Sequence, residues 1–282
     1  MKTAALCSAI LLCAFCTTGA QEPTPGGKRE SESLNAAITA ARKATAEKRF
    51  ADSEAMMAKA TADNPKLILP WVELGLAQLG LKKYPEAENS FKMALGIDPE
   101  SIQRAHSDDF YQHNDKPGAI APDGTRNSRN TVGGEVNNAQ SRTPDIKGVS
   151  WASLGEIYAH ESKIKDAEGA FDNAVAAFPQ QAALYRRNET ISFFQAGNSD
   201  AQFAAAEKAI ALDPARAALY YFKGQSLVSK ATVDPKTQKM VLPPGCAEAY
   251  QKYLELDPNG PYSADAKGVL TGAGLPLKAG KK

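Results

Sequence analysis

His106 and His113 stand beside Asp108, Asp109 and Asp115 in the run HSDDFYQHND, and imidazole and carboxylate donors at that spacing could hold a divalent cation. A metal site also needs its ligands held in fixed geometry. The stretch that follows is rich in Gly, Asn and Ser, so a solvated loop is expected and no metal is assigned. His160 closes a helical run, where an imidazolium would be an ordinary favourable cation near a helix C-terminus. The chain carries no G-x-S-x-G, no H-E-x-x-H, no Walker loop and no G-x-G-x-x-G after a strand. Glu156 and Glu189 have the spacing to pair across neighbouring helices, but no motif couples them. No catalytic residue and no cofactor are assigned, and an enzyme is not expected.

The first residues speak of address. Lys2, an apolar run from Ala4 to Phe15, and small residues at Thr18 and Ala20 form the pattern of a secretory signal peptide cleaved before Gln21. The apolar run is about twelve residues, short of the roughly 20 that span a bilayer. Cys7, Cys13 and Cys16 follow Leu6, Leu12 and Phe15, whereas lipid attachment wants a small residue before the cysteine, so a soluble exported protein, periplasmic or secreted, is expected. Cleavage would leave Cys246 alone, with no intramolecular disulfide to make. Loss of Lys2 brings the 33 basic residues to 32, equal to the 32 acidic ones. That balance gives no electrostatic reason to expect nucleic acid or an anionic membrane as partner.

What must position any binding residue is a repeat. Trp71, Leu74, Gly75, Ala87, Phe91, Ala94 and Pro99 recur eighty residues later as Trp151, Leu154, Gly155, Ala167, Phe171, Ala174 and Pro179, joined by Tyr158. Small residues on two helical faces let helices approach closely, large ones fill the space around them, and each proline ends a unit. Gly75 is expected to face Ala87 and Ala94. Weaker copies follow the same layout from Leu34 (Ala41, Phe50, Ala60, Pro65), from Ala182 (Phe193, Ala209, Pro214, with Thr190 in the glycine place) and from Ala217 (Gly224, Tyr250, Pro258). Cys246 takes the place of a packing alanine, which makes it a buried structural thiol.

This pattern resembles the tetratricopeptide repeat, W-x2-L-G-x2-Y, A-x3-F, P over 34 residues. The resemblance implies an all-α helix-turn-helix solenoid of about five units plus a C-terminal capping helix, with two insertions. The expected layout is a signal peptide (1–20), a disordered tail (21–33), two units (34–101), a mostly disordered insertion (102–147), three units (148–259), a capping helix (260–273) and a flexible tail (274–282). A hairpin arm at about 231–244, signalled by Asp234-Pro235 and Pro243-Pro244, lies inside the last unit.

The resemblance further implies that the first helix of each unit lines a groove. Carried onto this chain, the groove residues are Val72, Leu76 and Leu79, then Ala152, Glu156 and Ala159, then Arg187, Ile191 and Phe194, then Tyr221, Gln225 and Val228. Each set follows the i, i+4, i+7 spacing of one helix face. The helix around Val72 is apolar nearly all round, so that face either binds an apolar or amphipathic segment or is covered by the chain's own tail or insertion. The function so implied is an extracytoplasmic adaptor holding another protein or a peptide segment. The alternative is a binding protein for a lipid, peptide fragment or glycan.

Overall fold

The computed structural model describes residues 25–97 and 142–277. The signal peptide, Pro99, both histidines of the HSDDFYQHND run and the last five residues lie outside them. Eleven α-helices follow one another among the described residues: α1 (Pro25–Ala46), α2 (Phe50–Asp63), α3 (Ile68–Gly80), α4 (Tyr84–Leu95), α5 (Pro144–His160), α6 (Ile164–Ala177), α7 (Ala182–Gln195), α8 (Ser199–Leu212), α9 (Ala217–Val228), α10 (Cys246–Leu256) and α11 (Ser263–Gly272). Helix α1 packs on α2, α2 on α3 and α3 on α4, and α1 touches α3; from α6 each helix packs on the next as far as α11, and α7 touches α9. The fold is an all-α solenoid of helix hairpins closed by a terminal helix. Two compact units divide it, residues 1–146 and 147–282.

Within the hairpins a large side chain faces a small one. A Cβ built on Gly75 would lie 2.8 Å from the Phe91 ring, one on Gly155 2.7 Å from Phe171, and one on Gly224 3.0 Å from Tyr250. The ring itself thus fills the space the glycine leaves, which corrects the expectation that alanines stand nearest Gly75. Phe91 and Phe171 are fully buried, each worth about 1.5–3 kcal/mol of apolar transfer. In the remaining hairpins the same two places hold Ala41 with Met57 and Thr190 with Ala206, all four buried. Where the first residue grows, the second shrinks, so the interior volume is kept.

The other repeated positions stitch one hairpin to the next. Trp71 and Leu74 pack into a cluster with Ile38, Ala41, Met57 and Ala60 from the preceding hairpin. Tyr158, Ala159 and Ala167 pack with Phe193, Ala201 and Ala205 of the following one. Ala87, Ala94, Leu154 and Ala174 are fully buried, and Pro179 opens a single 3-10 turn (Pro179–Gln181) between α6 and α7.

The turn inside the first four hairpins is also repeated. Lys48, Lys82 and Ser162 have φ near +60°, and Gly197 has φ +71°. The residue after each donates its N–H five residues back, from Arg49 to the Ala44 oxygen, Lys83 to Gln78, Lys163 to Tyr158 and Asn198 to Phe193, over 2.8–3.0 Å. This is the Schellman closure of a helix end. At the end of α4, Gly96 is left-handed at φ +72°, and Arg142 Nε donates to the Ala94 carbonyl at 3.0 Å, a cation placed on a helix C-terminus.

Two boundaries differ from expectation for one reason. Residues 25–33 belong to α1 and residues 144–147 to α5, where a tail and an insertion were expected. Pro25 and Pro144 sit at the first helical position, where the missing N–H is needed by no bond, so each starts a helix. Between α9 and α10 a two-residue strand β1 (Thr232–Val233) pairs antiparallel with β2 (Met240–Val241), Thr232 facing Val241. Asp234 Oδ1 accepts from the N–H groups of Lys236 and Thr237 and shapes the turn.

Candidate functional site

In the first unit the face named from the sequence is narrower than expected. Val72 is withdrawn into the core at 4% exposure, while Leu76 and Leu79 stay half-buried. Arg42, on the equivalent stripe of α1, is tied to α3 by its Nε, which donates to Glu73 Oε1 at 2.6 Å. Burial pushes the Glu73 carboxyl above the usual carboxylate range, against the pull of Arg42. Arg42 is therefore part of the framework here.

In the second unit, α5 and α7 carry two charges of opposite sign in a different condition. Glu156 is half-buried between the buried Ala152 and Ala159. Among the described residues it has neither hydrogen bond nor ion pair, and burial alone holds its carboxyl above the ordinary range. Arg187 is also half-buried and bonds to no acceptor among the described residues. Its guanidinium is held below the usual arginine value by burial first and by the nearby Arg216 second, with Asp213 opposing. Arg216 itself is engaged, its Nε 2.6 Å from Asp213 Oδ2.

The neighbouring Arg186 shows the contrast. Its two amino groups donate to Glu189 Oε2 at 2.7 Å and to Asp172, with Lys208 3.5 Å from Glu189. The group links α6, α7 and α8 around a carboxylate only 1% exposed, whose pKa burial raises in spite of these cations. Consecutive residues of a helix point about 100° apart, so one arginine is sewn into the stack and the next is left on its stripe.

The rest of the expected set is drawn into the end of the solenoid. Phe194 packs on Phe222 with ring centroids 5.1 Å apart, and Ile191 lies half-buried against the same cluster. Tyr221 is buried: its ring stacks on Tyr262 at 4.1 Å and 10°, and its hydroxyl donates to Asp265 Oδ2 at 3.0 Å. The Gln225 oxygen accepts from Gln202 Nε2 at 2.8 Å. Tyr221 is thus part of a packed interior, a correction to the groove assignment, whereas Gln225 stays half-buried with its oxygen engaged. The physical cause is α11: the last hairpin has no following hairpin to cover it, and Tyr262 and Asp265 at the start of α11 lie over this face. Sequence spacing missed Arg216, Asp213 and Tyr262, whose roles come from contacts across helices.

Cys246 is fully buried, its Sγ donates to the Gly224 carbonyl at 3.5 Å, and burial pushes the thiol up to about 11. Such a thiol is inert at neutral pH. Among the described residues, no group of three or more His, Cys, Asp and Glu could hold a metal ion, and no helix is long and apolar enough to cross a membrane.

No family model and no curated protein matches the chain. Among solved structures, YrrB, a TPR protein with an unusual peptide-binding site, is similar over 86% of this chain and 97% of its own, at 15% identity and a TM-score of 0.48. The APC/C hetero-tetramer Cut9–Hcn1 is similar over 83% of this chain and 42% of its own, at 12% identity and a TM-score of 0.34.

Proposed function

We propose that this chain is an extracytoplasmic scaffold that holds a segment of another polypeptide along the inner stripes of its helix hairpins, without catalysing a reaction. The observation that carries the reading is on α3: Leu76 and Leu79 stay half-open on one stripe of a helix in which Val72, Leu74, Gly75, Ala77 and Gln78 are buried. A stack of helix hairpins offers such a stripe preformed, so binding costs little ordering of the scaffold. The equal numbers of basic and acidic residues after Lys2 is removed support a polypeptide partner over nucleic acid. The export pattern in residues 1–20 supports an address outside the cytoplasm.

The test compares the parent chain with a Leu76→Glu/Leu79→Glu variant of equal helicity and melting. Proteins captured from the envelope fraction are identified, purified and titrated against both. Loss of binding in the variant is expected, and equal affinity for both would remove the inner stripe from the reading. A reporter fused after Gln21 should reach the extracytoplasmic space, and retention in the cytoplasm would refute export.

A further inference from the structure

Between α10 and α11 the chain turns through Asp257, Pro258, Asn259 and Gly260, with proline second and glycine last as a β-turn prefers. The Gly260 N–H donates to the Asp257 carbonyl at 3.3 Å, longer than the usual range of about 2.7–3.2 Å. Asn259 is exposed, and its side-chain amide makes no hydrogen bond among the described residues. In the whole sequence it is the one asparagine followed by glycine.

Asparagine is a thermolabile residue: the backbone nitrogen that follows it can close on its Cγ to form a five-membered imide. In a folded chain the attack is opposed by a Cβ on the following residue, by a strong hydrogen bond on its N–H, or by a partner that holds the side-chain amide. Asn35, Asn89, Asn173 and Asn188 lie inside α1, α4, α6 and α7. There the following N–H belongs to the helical ladder, and the next residue carries a Cβ. Asn64 precedes Pro65, whose nitrogen bears no proton. Asn198 Oδ1 accepts from Ala201 N at 2.9 Å, the bond of a helix N-cap. Asn259 meets only the hydrogen bond, and in a weak form.

We propose that Asn259 is a site of spontaneous covalent modification, at which the Gly260 nitrogen displaces the side-chain amide and water then opens the imide to a carboxylate. The bond from Gly260 N to Asn259 Cγ forms, the Cγ–Nδ2 bond breaks, and the Gly260 proton leaves with the amide as ammonia. No electrons are gained or lost, and solvent water is the only co-reactant. Water adding at Cγ restores the backbone with an aspartate at 259. Water adding at the main-chain carbonyl leaves an isoaspartate, the backbone running through Cγ and longer by one methylene. Gly260 has little room to follow that change. A Cβ built on it would run into Asp257 Oδ2 and Tyr253 Oη, and its carbonyl accepts from both the N–H and the hydroxyl of Ser263, the first residue of α11. Next to Ser263, Tyr262 N donates to Tyr253 Oη at 2.9 Å and the Tyr262 ring stacks on Tyr221. The modification therefore acts on the contacts that hold α11 over the end of the stack, and it loosens this cap as the chain ages. It is independent of the scaffold reading.

The experiment holds the folded full chain warm at neutral pH for days. Its proteolytic peptides are then compared with synthetic standards carrying asparagine, aspartate or isoaspartate at 259. Acid should form at 259 about tenfold or more faster than at Asn89, Asn173 or Asn188, with aspartate and isoaspartate both present. Equal rates at all four would overturn the site, and aspartate alone would overturn the imide route, since direct hydrolysis gives no isoaspartate. Asn259→Gln keeps an amide at this exposed position but has to close a larger ring, and it should stay unmodified. Amide hydrogen exchange in α11 should quicken in the aged parent chain relative to the fresh one, and not in aged Asn259→Gln. No change in the parent, or the same change in both, would overturn the effect on the cap. The comparison of asparagines within the parent chain decides the site even where the variant fails to fold.

Discussion

The indole Nε1 of Trp71 donates a 3.0 Å hydrogen bond to the carbonyl oxygen of Pro65, six residues earlier. Tyr220 repeats the relationship, its hydroxyl donating to the Pro214 carbonyl at 3.1 Å across the same six residues. The proline that ends one hairpin is therefore held by the aromatic residue in the first turn of the next. Trp71→Phe and Tyr220→Phe keep a ring and delete the donor. Each should cost about 0.5–1.5 kcal/mol in chemical denaturation, at the lower end because both sites are open to water.

Gly155→Ala puts a methyl group 2.7 Å from the Phe171 ring, which is fully buried and has no room to retreat. Overpacking of this kind costs about 1–3 kcal/mol. Adding Phe171→Ala to Gly155→Thr recreates the Thr190–Ala206 arrangement of the fourth hairpin. The pair should be less destabilising than the sum of its single changes, and strict additivity would show that the two positions do not share volume.

Gly197 is left-handed, and a Cβ there would meet nothing within 4 Å. The cost of Gly197→Ala is then purely conformational, about 1 kcal/mol. Ser162 bears the same strain with its side chain in place. Ser162→Gly should shift the denaturation midpoint little, because relief of φ strain is offset by the larger backbone freedom of glycine in the unfolded chain.

Arg186 and Arg187 are adjacent and should behave oppositely. Arg186→Gln takes the guanidinium from the buried Glu189 carboxylate and leaves only Lys208, 3.5 Å away, beside it, a loss of about 1.5–3 kcal/mol. Arg187→Gln removes a cation that bonds to no acceptor among the described residues, and stability should stay within about 0.5 kcal/mol of the parent. Equal losses for both would contradict the arrangement described for α7.

Glu156→Gln gives a stability effect whose sign depends on pH. Burial raises the Glu156 pKa in the folded chain, so the folded state holds the proton at pH values where the unfolded chain, near 4.3, has released it. Stability from this group is full below the unfolded pKa and is lost as pH rises through the folded one. The variant, lacking the carboxyl, should melt above the parent at neutral pH, with about 2–4 °C for each kcal/mol recovered. The gap should close as the pH falls towards 4. A gap that widened on acidification would mean that Glu156 has a favourable partner.

The sequence by itself determined the hairpins and their order. Trp71 to Ala94 and Trp151 to Ala174 obey a rule of residue size at helical spacing, and size and period are properties a residue carries wherever it stands. Tertiary structure alone decided which polar groups remain for a partner. Tyr221 fits the inner stripe by spacing, yet Tyr262 and Asp265, forty and more residues away, bury it. Arg186 and Arg187 are the same residue side by side, and only the positions of Asp172, Glu189 and Lys208 on three helices distinguish them. Residues 25–33 and 144–147 read as tail and insertion, because a proline ends or begins a helix according to which side the other helical residues lie on. Helix packing follows from volume, which is additive and local. The fate of a charge follows from what lies within a few ångströms of it, and that is fixed only when the chain has folded.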